Sequence, residues 1–156
     1  MKKEYISHST EDTEAVGASI ALALDEASVA RAVIAMRGEM GVGKTAFTRG
    51  FLSALGGTGA KSPTYTVVNE YKAKRRVFHF DMYRIDGEDD LLSVGYDDYL
   101  DTDGYMIIEW SENITELLPE KRITVTIDRC DENESDRKIT VDTDGFAELT
   151  YDNACI

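Results

Sequence analysis

The stretch "RAVIAMRGEMGVGKTAFTRGFLSALGG", Arg31 to Gly57, decides the fold. It opens with "RAVIAM", Arg31 to Met36, a short, β-branched run of the continuous apolarity expected of a strand buried on both faces of a parallel sheet. Phe47, Phe51, Ala54 and Leu55 then repeat at helical spacing, and Gly56-Gly57 supplies a stop. Between strand and helix, Gly38, Gly43, Lys44 and Thr45 satisfy G-x-x-x-x-G-K-[ST]. That pattern folds so that backbone N–H groups and a helix N-terminus surround phosphates. Glu39, Met40, Gly41, Val42, Gly43, Lys44, Thr45 and Ala46 would then form the nucleotide cradle, with Lys44 on the β- and γ-phosphates and the Thr45 hydroxyl on Mg²⁺. A chance match is the competing explanation, and the flanking strand and helix argue against it.

A P-loop needs a second acid for the metal, at the end of a neighbouring parallel strand. Two acids qualify: Asp81 closes "VFHFD" and Glu109 closes "YMIIE". Each is otherwise a strand-end acid capping the next turn. His79 shares a face with Asp81 by the two-residue period, either as a core residue or as a base. Trp110, the only tryptophan, is a packing residue or part of a partner surface. Arg84 would meet phosphate or pair with Asp81 or Asp86, and Ser62-Pro63-Thr64 reads as a γ-phosphate-sensing segment or a plain turn. No asparagine is followed by lysine, so the guanine-reading N-K-x-D pattern is missing and adenine, hence ATP/ADP, is the expected base.

Working outward, Ser9 followed by Asp12 resembles a helix start, and Val16, Ile20, Ala23 and Leu24 keep one face apolar, so Thr10 to about Leu24 reads as a helix. "TYTVVNEY" after Pro63, "ITVTI" at Ile123, "KITV" at Lys138 and "AELTY" at Ala147 read as further strands. "DGEDDLLSVGYDDYLDTDG" and "DRCDENESDRK" read as loose acidic surface. The predicted fold class is α/β: a P-loop NTPase-like three-layer fold, mostly parallel in its central sheet with antiparallel additions, in one domain over residues 1–156.

The charge of −13, from 30 acidic against 17 basic residues, disfavours freestanding nucleic-acid binding, which needs a basic face. Cys130 and Cys155 lie far apart without metal-ligand spacing, as expected of free thiols. "MKKEYISHSTEDTE" lacks the apolar stretch of a secretory signal, and the most apolar region is interrupted by Asp25, Glu26 and Arg31, so a soluble cytoplasmic protein is expected.

Taken together, "RGEMGVGKTAFTRGFLSALG", "KSPTYTVVNEY", "VFHFDMYRID" and "MIIEWSENITELLP" resemble, in order and spacing, the bacterial TsaE (YjeE) family over about Thr10 to Pro119. That family contains small P-loop ATPases needed to make threonylcarbamoyladenosine beside the tRNA anticodon. The resemblance implies that Lys44 and the loop hold ATP and that Thr45 and Glu109 share Mg²⁺. Asp81 would support hydrolysis near the γ-phosphate, Thr64 would occupy the switch-like segment, and Trp110 the surface beside it. Thr10 would touch the base, and Arg137 falls where the family carries an arginine. The implied partners are a TsaB/TsaD pair, with tRNA contact indirect. In two departures, Ala46 replaces a frequent second threonine and Ser111 replaces the usual proline after Glu-Trp, which predicts a less rigid exit from that strand. One rival reading is a small-molecule kinase with Asp81 as base and Arg84 on the phosphoryl group, but Gly87 to Gly104 contains no lysine or arginine for a lid; the other is a nucleotide-dependent binding module whose hydrolysis is incidental.

Overall fold

The computed structural model describes residues 2–39, 41–60, 68–146 and 149. Among the described residues, seven strands form one sheet: β1 (Lys2–Ser7), β2 (Arg31–Arg37), β3 (Val68–Tyr71), β4 (Val77–Asp81), β5 (Gly104–Glu109), β6 (Ile123–Cys130) and β7 (Asn133–Asp142), ordered β1-β7-β6-β2-β5-β4-β3. The centre, β6-β2-β5-β4, is parallel, while β1-β7, β7-β6 and β4-β3 are antiparallel. The expected mixture is therefore present, with its antiparallel pairs at both flanks.

Alternation along the strands sorts the core into two layers. Ile34, Met36, Tyr105, Ile107, Val125 and Ile127 face helices α1 (Thr10–Glu26) and α2 (Lys44–Ala54). Val33, Ala35, Phe78, Phe80, Met106 and Ile108 face the opposite side, covered by α3 (Glu88–Ser93), α4 (Tyr96–Leu100) and a 3-10 segment, Ser111–Leu117. Ser9 caps α1 as read from the sequence, its side chain accepting from the Asp12 N–H at 3.1 Å while the Asp12 carboxylate accepts from the His8 N–H at 2.9 Å. α1 and α2 cross at two glycines: a Cβ on Gly17 would stand 2.1 Å from the Phe47 carbonyl oxygen, and one on Gly50 1.9 Å from that of Glu14. Only glycine permits this approach, and it sets α2 close against α1.

Three readings are corrected. Lys2–Ser7, read only as a polar start, is an edge strand whose Tyr5 and Ser7 are buried. The acidic stretch after Asp86 is not loose: α3 and α4 bury Leu91 and Tyr96, and the Tyr99 ring lies 4.9 Å from Phe78 and 5.1 Å from Phe80. "DRCDENESDRK" is the end of a β-hairpin, paired out to Cys130 and Asn133. The start of the "TYTVVNEY" strand and most of "AELTY" lie outside the described residues; of the latter, Leu149 is described and buried.

Candidate nucleotide-binding site

The parallel strands bring their C-terminal ends to one edge of the sheet, and there the P-loop leaves β2. Gly38 has φ 148°, and a Cβ there would stand 2.7 Å from the Ile127 carbonyl oxygen, so the loop starts flush against β6. It ends at Gly43, φ 122°, the N-cap of α2, which offers no side chain to the first N–H groups of that helix. A helix N-terminus without a side-chain cap, preceded by glycines, is a ready anion site. The Thr13 methyl lies 3.7 Å from the Gly43 Cβ position, and its hydroxyl is 2.7 Å from that of Ser7, which closes the loop on the α1 side. Thr10 is exposed in the first turn of α1, one turn before Thr13.

Lys44, Thr45 and Ala46 form the first turn of α2. Lys44 is buried; its ammonium donates to the Gly38 carbonyl at 2.8 Å and sits 4.2 Å from the centre of the Trp110 ring. The lysine is thus held over the loop by one carbonyl and one π face. Trp110 adopts φ 56°, ψ 39°, an uncommon left-handed conformation for a bulky residue. Three bonds hold that turn: Asn113 N–H to the Trp110 carbonyl (3.0 Å), Asn113 Nδ2 to the Met82 carbonyl (2.9 Å) and Ser111 Oγ to the Met36 carbonyl (3.0 Å). At Ser111, where the family usually has proline, the hydroxyl is fully buried and ties the exit of β5 to β2.

Asp81 and Glu109 are register partners at the ends of β4 and β5, yet their surroundings differ. Asp81 accepts from the Tyr83 N–H at 2.9 Å, the turn-capping bond that was its plainer reading. Glu109 caps no turn among the described residues; it is buried, with Oε2 2.8 Å from Nε2 of the fully buried His79. Arg84 is exposed and pairs with neither Asp81 nor Asp86 among the described residues. Met40 of the loop and Ser62, Pro63 and Thr64 lie outside the described residues.

Arg137 had no assigned role in the sequence. It reaches from β7 to donate through Nε to the Val42 carbonyl at 2.9 Å, while its guanidinium also bonds the Glu134 and Asp136 carbonyls. The hairpin register sets Arg129 directly opposite Arg137, and Arg129 lies 3.9 Å from Glu39 and close to Gly41. Two like charges opposed across a strand pair repel, yet the fold sets both beside the loop, Arg137 on the Val42 carbonyl and Arg129 near Glu39. No local motif marks either residue.

The donors suit the expected groups. Mg²⁺ takes oxygen ligands, usually one or two from protein with the rest from phosphates and water, and a threonine hydroxyl with a nearby carboxylate is that kind of set. The loop's backbone N–H groups, Lys44 and the arginines match polyphosphate. No described helix is long and apolar enough to cross a membrane.

Sheet order, loop and strand-end acids define a P-loop fold of the nucleotide-binding class. The family profile described as threonylcarbamoyl adenosine biosynthesis protein TsaE matches residues 7–139, and the chain belongs to that family. Among similar proteins named "tRNA threonylcarbamoyladenosine biosynthesis protein TsaE", that of Haemophilus influenzae is 44% identical over 64% of this chain and 65% of its own length. That of Bacillus subtilis is 38% identical over 69% and 67%, and that of Treponema pallidum 32% over 78% and 88%. The match thus spans just under two thirds of the Haemophilus protein. The crystal structure of Bacillus subtilis YdiB superposes with a TM-score of 0.70 at 29% identity, covering 90% of this chain and 84% of that one.

Proposed function

We propose that this chain is a single-domain, Mg²⁺-dependent ATPase of the cytoplasm that serves threonylcarbamoyladenosine formation on tRNA by acting on a TsaB/TsaD-type partner pair. The observation that carries the reading is the glycine-capped start of α2, with buried Lys44 above it and Glu109 and Asp81 at the adjoining strand ends.

In this reading the α2 N-terminus and the cradle from Glu39 to Ala46 bind the phosphates, and Lys44 exchanges the Gly38 carbonyl for β- and γ-phosphate oxygens. Thr45 and Glu109 hold Mg²⁺, which when bound neutralises charge on those oxygens. Asp81 orients water near the γ-phosphate, and Arg137 keeps the loop in its phosphate-binding shape through Val42. Thr10 meets the base, and Thr64 belongs to the segment that senses the γ-phosphate. Family membership supports the tRNA pathway. The segment from Gly87 to Gly104, packed on the sheet through Leu91, Tyr96 and Tyr99, gives the kinase reading no lid.

The test is the threonylcarbamoyladenosine content of tRNA in cells depleted of their own family member. This chain should restore it, and Lys44→Ala and Glu109→Ala should not. Full restoration by Lys44→Ala would refute nucleotide-dependent action, and restoration by Glu109→Ala would mean that nucleotide binding rather than hydrolysis is what the partners read.

A further inference from the structure

We infer that His79 is a positioning residue whose imidazole fixes the Glu109 carboxylate in its metal-serving orientation; the inference rests on the reading of Glu109 as an Mg²⁺-holding residue. His79 sits mid-strand in β4, fully buried, on the face that carries Val77 and packs toward α1 and α2. An aliphatic side chain would fill that position without burying a polar ring, so the imidazole needs a polar partner to offset its desolvation. It has one. Nε2 lies 2.8 Å from Glu109 Oε2, and Nδ1 is buried with no partner among the described residues. Among the described residues the ring's one polar interaction is thus directed at Glu109, and an ionised carboxylate, which can only accept, calls for the proton on Nε2.

Register explains the contact. β4 and β5 run parallel with His79 beside Ile107 and Asp81 beside Glu109, so Glu109 reaches His79 along the diagonal, back toward the core. A buried carboxylate must be hydrogen-bonded to be tolerated, and His79 is the partner of this one. Oε2 is thereby anchored, and Oε1 is left to serve the ion or its water. Asp81, at the same level of the sheet, is held instead by a backbone N–H of the following turn. Partners that orient a metal's ligands commonly set its affinity, with losses of about 10- to 100-fold when removed.

The test uses the full chain and a fluorescent ADP analogue, measuring affinity in EDTA and then the Mg²⁺ concentration that half-saturates the metal-dependent gain in binding. His79→Asn, which cannot reach Oε2, and His79→Phe, which has no donor, should raise that concentration about 10- to 100-fold and leave binding in EDTA unchanged. His79→Gln, whose amide can donate to the same oxygen, should retain the wild-type value. Wild-type Mg²⁺ dependence in His79→Asn overturns the inference, as does an equal loss of binding in EDTA across all three variants, which would mark a packing role. If His79→Phe does not fold, the contrast between Asn and Gln decides. A wild-type value in Glu109→Gln would instead overturn the metal reading beneath it.

Discussion

Lys44 and Arg137 show how differently two residues of one site can be encoded. Lys44 is legible because its motif is local: eight consecutive residues specify the turn, the helix start and the charge. Arg137 meets the Val42 carbonyl from 95 positions away, through a hairpin register that no short pattern announces. Its substitution is correspondingly informative. Arg137→Ala should leave the fold intact and weaken nucleotide binding by about 10- to 100-fold, the range of a lost charged hydrogen bond worth roughly 1.5–3 kcal/mol. Calorimetric titration with ADP checks it, and unchanged affinity would reduce Arg137 to a hairpin brace. Glu109 was legible as a strand-end acid, but its histidine partner was not, because periodicity placed His79 beside Asp81 on one face and was silent about the neighbouring strand.

At the scale of elements, the central strands and both long helices were readable because each is buried deeply enough for its apolar pattern to dominate. β1 and the tip of the β6-β7 hairpin were not. Both lie at a flank that meets solvent, so charge fills half of β1 and most of the hairpin tip, and an antiparallel strand with a wet face looks like loop. The α1-α2 crossing also hid in plain sequence, since two glycines within helical patterns give no sign that they touch backbone. Gly50→Ala should destabilise by about 1–3 kcal/mol, lowering Tm by roughly 2–12 °C in a chain of this size, and a thermal melt checks it. A second prediction concerns Asp25 near the end of α1. Lys74, and then Arg75, hydrogen-bond its carboxylate at 2.6 and 3.0 Å and hold its pKa below the ordinary 3.8. A depressed carboxylate contributes stability above its unfolded value and loses it as pH falls through the folded one. The stability gap between wild type and Asp25→Asn should therefore be constant near neutrality and close below about pH 3.8. A gap that widens in acid would contradict that sign.

For the whole molecule, the three-layer arrangement followed from the order strand, loop, helix and from the acids that close the next two parallel strands. Net charge sets how such a molecule meets its pathway. A chain of −13, with 30 acidic against 17 basic residues, carries an excess of negative charge that disfavours a phosphate backbone. Purified alone at physiological salt it should not retard tRNA in a gel, whereas retention by the isolated chain would mean a nucleic-acid surface that the charge distribution does not suggest. The central claim is that the loop around Lys44 turns over ATP in a partner-coupled way. The direct measurement is the initial rate of ATP hydrolysis in Mg²⁺ by the purified chain, alone and with the TsaB/TsaD pair, with Lys44→Ala as the blank. The account predicts a slow rate that depends on Lys44 and rises when the pair is added; a rate equal to that of Lys44→Ala under both conditions would contradict it.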